Sequence, residues 1–522
     1  MKKFDTSKYS NRSHFEFRSF VDHGQPNYCV YSIKFNKNYH EKLNNHLHSL
    51  PPQILLLILS SPPKTNTMKK LIIAASLSLI LGLFSCKKET VTPTSQEEIA
   101  TAKPISPPPP PSILQWQKTY GSASNELGYT ITKTNDGNGY VFVGSALANG
   151  GDITGHHGGI GADAWVVKTN SLGTIEWQKC FGGTVGDYAY DIIATVDGGF
   201  VFAGTTQSNN GDVISNQGGR DVWVVKLDGS GVIAWQKTFG GSADEAANSL
   251  IQTSDGGLLV AGYTNSNNGD ISGSNHGGSD AWILKLNASG DIVWQKTYGG
   301  TLGDGANSII QTSDDNYMVA AGTSSTDGDL SDQFSRGGND CWVFKVSGTG
   351  DLLWQKTYGG SQGEDASGIF QTPGGDYVFS STTSSNNGNV SGNHGYADTW
   401  VVKINTNGDI IWQKCFGGFD MDNARIRDID AAGKIVLAGY TFSKNGDIPA
   451  SKGGEDLWIL RLDPDGNKLY SGVFGGKGGD MANDAIPTTD GGYITSGRSN
   501  STSGDVSGNH GGEDVWVMKF KF

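Results

Sequence analysis

Residues 280–296 read DAWILKLNASGDIVWQK, and stretches of the same pattern recur from residue 113 to the end of the chain. Apolar residues lie on both sides of the short polar sequence Asn287-Ala288-Ser289-Gly290. Gly at this point supplies the positive φ that a tight hairpin needs. The stretch therefore predicts two antiparallel strands joined by a hairpin.

Two series of aromatic residues define the period of the repeat. The first series opens Trp-Gln-Lys segments 58 to 61 residues apart, and Tyr470 takes its seventh position: Trp116, Trp177, Trp235, Trp294, Trp354 and Trp412. The second series stands in Asp-x-Trp: Trp165, Trp223, Trp282, Trp342, Trp400, Trp458 and Trp516. A fixed period of this length is typical of a propeller or a solenoid.

The third repeat shows how many strands each repeat contains. Strand-like sequences at 249–253 and 258–263 flank an Asp-Gly-Gly turn, and the two strands of 280–296 follow after a longer loop. No helical period is present. Four short antiparallel strands in each repeat predict the blade of a β-propeller.

The two ends of the repeat region predict how the ring closes. The region opens with a lone strand at 113–120 and finishes after a third strand at 515–520. The last blade thus lacks a fourth strand, and the first strand can supply it without leaving a free sheet edge. We predict an all-β fold, a seven-bladed β-propeller of residues 113–522.

Composition limits the classes of partner. The 522 residues include 75 Gly, only 17% are charged, and the formal net charge is −13. This charge argues against nucleic acid, which basic surfaces bind. Apart from Cys29 and Cys86, the three cysteines Cys180, Cys341 and Cys415 are an odd number, so we expect no disulfide framework.

Residues 68–86 have the pattern of a secretory signal. They read MKKLIIAASLSLILGLFSC, with two lysines before an apolar run too short for an ordinary membrane span. The final Leu-Phe-Ser-Cys resembles the lipobox of bacterial lipoproteins. This resemblance implies cleavage before Cys86, lipid attachment there and, with Lys87-Lys88 following, the outer membrane of a Gram-negative cell. Which side of that membrane the domain faces stays undecided.

The segments around this signal are assigned from composition. Residues 1–67 precede a ready start at Met68, so we interpret them as a mis-assigned start, the alternative being a disordered extension. The signal peptide covers 68–85. Residues 86–112 end in five prolines and predict an extended tether that holds the propeller away from the membrane.

The stretch Leu-Lys-Leu-Asn-Ala-Ser-Gly-Asp-Ile-Val-Trp at 284–294 resembles the repeats of PQQ-type quinoprotein propellers. The resemblance covers a minority of each repeat. The fuller pattern is similar to repeat propellers of secreted and lipid-anchored Gram-negative proteins, and it implies no defined activity. A quinoprotein dehydrogenase would need basic and metal-binding residues that break the repeat, and these repeats are uniform.

The propeller analogy places the blade-to-blade loops and the loops between the second and third strands on one face, which we call the loop face. Ligands are usually met by loops on a rigid scaffold. A first set of acids there precedes each innermost strand: Glu126, Asp187, Glu245, Asp304, Glu364, Asp422 and Asp480. They predict either a ring that attracts Ca²⁺ or a cationic group, or caps for their own Gly-rich loops, which is the favoured interpretation.

Two further sets of polar residues recur on the loop face. The second set comprises Asp152, Asp212, Asp270, Asp329, Asn389, Asp447 and Asp505, with companions Asp163, Asp221, Asp280, Asp340, Asp398, Asp456 and Asp514. Turn building is favoured for it over Ca²⁺ binding. The third set varies between blades: His157, Gln217, His276, Arg336, His394, Lys452 and His510. Either these residues contact a ligand, or they are ordinary exposed loop residues, which is the favoured interpretation.

These patterns favour a lipid-anchored binding module over an enzyme, because the sequence contains no catalytic motif. We expect no required cofactor, and Ca²⁺ is left open. We expect a monomeric propeller that binds glycan or envelope protein. The candidate ligand-binding residues are Asp187, Asp304, Asp422, Asp480, His157, His276, Arg336, His394 and His510. The loop aromatics Tyr188, Phe334, Tyr396 and Phe419 are available to stack on sugars. The alternatives are a scaffold subunit of an outer-membrane complex and a polysaccharide-active enzyme, for which blade six (Phe419–Arg427) departs furthest from the repeat.

Overall fold

The computed structural model describes residues 113–522 except 274, 332, 334, 335 and 450, and the paired strands β1 (Arg18–Phe20) and β2 (Val30–Ser32). The chain divides into two units, Met1–Ser106 and Pro107–Phe522. The predicted signal peptide, Cys86, the tether and Phe334 lie outside the described residues. Within the described part, no helix has the length and apolar character to cross a membrane.

Seven four-stranded antiparallel sheets form the second unit, as the repeat predicts. Blades one to three are β4 (Leu127–Lys133), β5 (Gly139–Ala146), β6 (Asp163–Asn170) and β7 (Ile175–Phe181); β8 (Asp187–Ala194), β9 (Phe200–Thr206), β10 (Asp221–Leu227) and β11 (Ile233–Phe239); and β12 (Glu245–Gln252), β13 (Leu258–Thr264), β14 (Asp280–Leu286) and β15 (Ile292–Tyr298). Blades four and five are β16 (Asp304–Gln311), β17 (Tyr317–Thr323), β18 (Asp340–Val346) and β19 (Leu352–Tyr358); and β20 (Glu364–Gln371), β21 (Tyr377–Thr383), β22 (Asp398–Ile404) and β23 (Ile410–Phe416).

Blades six and seven complete the ring. They are β24 (Asp422–Ile429), β25 (Ile435–Thr441), β26 (Asp456–Leu462) and β27 (Lys468–Phe474); and β28 (Asp480–Pro487), β29 (Tyr493–Ser499), β30 (Asp514–Phe520) and β3 (Leu114–Tyr120). The strand β3 pairs with β30, from Leu114 opposite Phe520 to Tyr120 opposite Val515. Closure of the last blade by the first strand is therefore confirmed.

The innermost strands differ from the sequence prediction in length. The strand predicted at 249–253 runs from Glu245 to Gln252, so the acid begins the strand instead of preceding it. A β-bulge explains the difference: Asn248 is an extra residue between Ala247 and Ser249 and interrupts the alternation of side chains. In blade six the bulge is displaced, and the extra residue is Arg427.

The two tryptophan series have different environments. The seven tryptophans of Asp-x-Trp are fully buried between blades, and Trp282 Nε1 donates to Gln295 Oε1 at 2.6 Å. The outer-strand tryptophans are only partly buried. Each of these packs on the turn of the next blade, as Trp294 does on Gly350, where it donates to the Gly348 carbonyl at 3.0 Å. The positive φ of 81° at Gly350 keeps that turn close enough for the ring to cover it.

Candidate binding face and central channel

The first set of acids is buried beneath the loop face. Asp187, Asp304, Asp422 and Asp480, the four that we nominated as ligand-binding, are almost wholly inaccessible. Each accepts a backbone N–H from the Gly-Gly turn before it, as Asp187 Oδ2 does from Gly183 at 2.7 Å. The Ser208 hydroxyl donates to the same oxygen at 2.8 Å. This geometry is the loop capping that the spacing favoured, and it leaves these carboxylates no contact with the surface.

The second set fastens one loop to another. Asp212 Oδ2 accepts the N–H of Gly182 at 3.2 Å, and the Asp212 N–H donates to the Gly182 carbonyl at 2.8 Å. Equivalent side-chain bonds recur at 3.0 to 3.3 Å for the other members, with Asn389 serving in blade five. These bonds join the blade-to-blade loop to the loop between the second and third strands. Both loops therefore lie on the loop face, as predicted.

The residues of the third set contact the buried aspartates that we named as companions of the second set. The backbone N–H of every member donates to the Asp that starts the third strand, and His157 Nδ1 also lies 2.8 Å from Asp163 Oδ2. The His157 ring reaches the next blade, with Nε2 at 3.3 Å from Asp212 Oδ2. Lys452 contacts Asp505 in the same way. The side chains that vary most between blades thus contact buried carboxylates or neighbouring blades.

The nominated members of the third set follow this arrangement. His276, His394 and His510 each place Nδ1 at 2.7 Å from their companion aspartate, and Arg336 Nη1 donates to the Thr357 carbonyl at 3.3 Å. Contact of these residues with a ligand stays a prediction. In the described ranges, no three His, Cys, Asp or Glu side chains converge to hold a metal ion.

Replacement of Asp221 by Asn is expected to raise the free energy of unfolding at pH 7.5 by about 2 kcal/mol. Burial raises the pKa of Asp221 to about 6, and the Glu245 carboxylate adds to the rise. Because this folded-state pKa exceeds the ordinary 3.8, the folded protein holds the proton more tightly, and its stability falls as the pH rises from about 4 to about 6. The Asn side chain keeps an acceptor for the Gln217 N–H and removes the charge.

Urea unfolding at pH 4.5 and 7.5 measures this effect, and Asp280→Asn is the matched control. Asp280 occupies the same position in blade three, where His276 Nδ1 already stabilises the carboxylate at 2.7 Å. Burial raises the pKa of Asp280 as well, but His276 opposes the rise, so we expect a smaller gain and a smaller flattening of the pH dependence in the control than in Asp221→Asn. Equal gains in both variants, or a loss of stability in Asp221→Asn, would contradict the electrostatic explanation.

Three exposed aromatic side chains lie on the loops where blades five and six adjoin. We call Tyr396, Phe419 and Phe442 the aromatic cluster; their exposed fractions are 70%, 69% and 40%. The Tyr396 N–H donates to the Phe419 carbonyl at 2.9 Å, which ties the two loops together. Tyr396 and Phe442, together with Met421, line a pocket of about 440 Å³. Two of the three rings thus line a shallow, open depression of the loop face, and Phe419 lies on the loop beside it.

The aromatic cluster breaks the repeat. The position of Phe419 holds small or polar residues or a lysine at the other junctions: Ala123, Thr184, Ser242, Thr301, Ser361 and Lys477. Tyr396 likewise replaces the second Gly of the Gly-Gly pair that other blades carry. Loop construction therefore does not require these rings. Tyr188, another nominated aromatic, instead stacks on Tyr190 with ring centroids 6.0 Å apart.

A central channel with a cavity of about 280 Å³ runs between the innermost strands of all seven blades. Asp191 and Asp484 line this channel, and each carboxylate accepts a backbone N–H of an adjacent blade. Asp191 Oδ2 accepts the Leu250 N–H at 2.7 Å, and Asp484 Oδ2 accepts the Ile131 N–H at 3.0 Å. Burial, with the Asp484 charge, raises the pKa of Asp191 to about 7, and burial also raises the pKa of Asp484.

Two arginines of blade six complete the channel lining. Arg427 Nη2 donates to the Asn483 carbonyl, and Nη1 lies 3.6 Å from Asp484 Oδ1. Arg425 projects into the channel with an exposed side chain. Desolvation by the surrounding protein, followed by the Arg427 charge, lowers its pKa to about 10. Beyond Arg425 a second cavity of about 380 Å³, lined also by Tyr396 and Met421, continues toward the aromatic cluster.

Comparison with known proteins does not assign the chain to a family. No family model matches the chain. The regulatory protein FlaEY of Caulobacter vibrioides is 26% identical over 220 residues, 38% of this chain and 22% of that protein. The chain thus matches about a fifth of that relative's length.

Solved structures that resemble the chain include a bacterial and an archaeal protein. Hydrazine synthase of Kuenenia stuttgartiensis is 11% identical, over 70% of this chain and 92% of that one, with a TM-score of 0.43. The β-propeller domain of the trilobed protease from Pyrococcus furiosus is 11% identical, over 76% and 96%, with a TM-score of 0.41. Such scores carry no functional argument, and the fold rests on this chain's own seven sheets.

Sequence reasoning missed most of the channel. Asp191 carries no motif, and it follows directly on the extra residue of the bulge in its strand. Asp365 likewise carries no motif, and it lines the adjoining cavity. The departure of blade six at Arg425 and Arg427 was visible as a break in the repeat. That signal could not show which of the two arginines joins blades and which faces the cavity.

Proposed function

We propose that this propeller is a non-catalytic binding module for glycans, and that the aromatic cluster is its principal contact. The observation that supports this is the concentration of three exposed rings at one junction of an otherwise uniform ring. Exposed aromatic side chains offer large, rigid apolar faces, and sugars present C–H faces of matching size. The 440 Å³ pocket beside Tyr396 and Phe442 is shallow and open, which suits an oligosaccharide chain lying along the surface better than an enclosed small molecule.

The proposal includes the cellular setting. Residues 68–86 support secretion and lipid attachment at Cys86, and the proline-rich tether up to residue 112 supports a domain held away from an outer membrane. A module so placed meets cell-surface and environmental polysaccharides. The regulatory description of the Caulobacter vibrioides relative agrees with a role in recognition.

Phe419→Ala and Tyr396→Ala are each expected to weaken glycan binding at least tenfold, since a buried aromatic contact contributes about 2 kcal/mol. The measurement is a glycan-array screen of purified residues 112–522, followed by calorimetry on the best hit. Val196→Ala is the matched control, because Val196 is 87% exposed in a turn on the opposite face. Folded protein that binds no glycan, or binding that survives both aromatic substitutions, would contradict the proposal.

A scaffold role is the second candidate, and one observation favours it. The outermost strands of blades three to six carry exposed apolar side chains at the same position: Val293, Leu353, Ile411 and Leu469. The same position holds Gln115, Glu176 and Ala234 in the other blades. An apolar stripe on one side of the rim is a feature of protein contact surfaces. Loss of a co-purifying protein in Leu353→Asp, with glycan binding absent, would favour this role.

The third possibility, an enzyme acting on polysaccharide, has less support. It requires two desolvated carboxylates that converge on substrate. Asp191 and Asp484 are desolvated, but each accepts a backbone N–H from the next blade. Their raised pKa values are explained by burial within these inter-blade links.

A further inference from the structure

Arg425 is a cation without a partner in the channel wall. In the part of the chain that the structure describes, its guanidinium makes no hydrogen bond and no ion pair within 4.0 Å. Asp365 is the carboxylate that acts on it electrostatically, but Asp365 Oδ1 accepts the Asn307 amide at 2.7 Å instead. The side chain is exposed to the solvent of the channel, so its N–H donors are available to an acceptor that enters the two cavities that it lines.

The displaced bulge of blade six explains why Arg425 is unpaired. In three other blades the residue at this position is an Asn whose amide donates to a carbonyl of the next innermost strand: Asn248 to Ala306 at 3.0 Å, Asn307 to Ala366 at 3.0 Å and Asn483 to Gly128 at 2.7 Å. In blade six the bulge lies at Arg427, and Arg427 makes the link to the next blade. Arg425 is therefore released from joining blades and faces the cavities.

Arg425 also connects the channel to the aromatic cluster. It lines both the 280 Å³ channel cavity and the adjoining 380 Å³ cavity, which shares Tyr396 and Met421 with the aromatic pocket. A sugar chain that stacks on the aromatic cluster and extends inward reaches the guanidinium. The net charge of −13 repels densely charged polyanions, so isolated acidic groups suit this surface better.

We propose that the ligand of this surface is an acidic glycan with sparse charges, and that Arg425 binds its carboxylate or sulfate group. This inference rests on the proposed glycan-binding function. Arginine suits either anion, because its planar guanidinium forms two parallel hydrogen bonds to carboxylate-like oxygens. Asp365 opposes the ligand: burial raises the pKa of Asp365 to about 6, so at neutral pH it is largely ionised and competes for the same cation.

The test is an array of matched oligosaccharides: xylotetraose, xylotetraose bearing one glucuronate, lactose and lactose bearing one sulfate. Wild-type protein is expected to bind an acidic member at least tenfold more tightly than its neutral counterpart, because hydrogen bonds between charged groups are stronger than those between neutral groups. Arg425→Gln should abolish this preference. The two acidic members distinguish carboxylate from sulfate recognition.

Two further variants keep the test decisive. Lys237→Gln removes the same charge from an exposed outer-strand pair with Asp291 and should retain the preference. Asp365→Asn should strengthen acidic binding about threefold, and it tests the proposal even if Arg425→Gln does not fold. Equal binding of neutral and acidic members, unchanged in Arg425→Gln, would overturn the inference while leaving glycan binding intact. Binding to no member of this array or of the wider screen would overturn both.

Discussion

A chain that lacks residues 113–120 should lose most or all of its folding free energy. This deletion removes β3, the fourth strand of blade seven. Tyr120 and Trp116 leave the core, at about 2 kcal/mol each, and Trp516 Nε1 loses its acceptor, Gln117 Oε1 at 2.9 Å. The total, with the exposed edge of β30, is comparable with the 5–15 kcal/mol that keeps an ordinary domain folded.

Urea unfolding of residues 107–522, with and without the deletion, measures this loss. A synthetic peptide of residues 112–121 provides the control, because adding it to the deleted protein should restore a cooperative transition. A deleted protein that unfolds within about 1 kcal/mol of the intact domain would show that ring closure contributes little.

The second large effect is expected for Trp282→Ala, at about 3–5 kcal/mol of lost stability. Trp282 is fully buried in the interface between blades two and three, where it packs with Leu258 and Leu284. Its removal leaves a cavity that rigid neighbouring sheets cannot fill, and it frees the Gln295 amide oxygen that accepts its N–H. Both consequences act in the same direction.

Trp294→Ala in the same blade is the matched comparison, because it removes a Trp of the other series from the same sheet. Trp294 belongs to the outer-strand series, is partly exposed and rests on the turn at Gly350. We expect a loss of about 1–2 kcal/mol, since only part of its surface is removed from water. Thermal and urea unfolding should rank the two variants clearly, and equal losses would contradict the assignment of the two series to core and rim.

Much of the fold could be predicted because its signals are local. The Gly of Asn-Ala-Ser-Gly permits a tight hairpin within a few residues, and strand alternation around Trp282 and Trp294 places both rings on predictable strands. The sequence has an additional strand before the first repeat and lacks the fourth strand of the seventh repeat. This pattern was enough to predict closure by β3. The capping of loops by acids such as Asp187 followed from the same local reasoning.

The bulge at each innermost strand was not predictable from the pattern. In blade three it adds one residue, Asn248, to one strand of the pair, and β12 extends back to Glu245. The amide of Asn248 donates to the Ala306 carbonyl of the next blade. The third set illustrates a second limit. His157 and Lys452 looked like candidate ligand contacts because they vary, but variation is tolerated there because either side chain can contact an aspartate of the next blade.

The sequence by itself determined the architecture: seven blades, four strands in each, a shared loop face and a ring closed by its first strand. Only the tertiary structure decided which loop residues are buried, that the loops of Tyr396, Phe419 and Phe442 adjoin, and that Arg427 joins two blades while Arg425 does not. The physical reason is how far apart in the chain the interacting residues lie. Hairpins and strand alternation depend on neighbours in the chain, whereas these side chains come from different blades and adjoin only after the whole ring has packed.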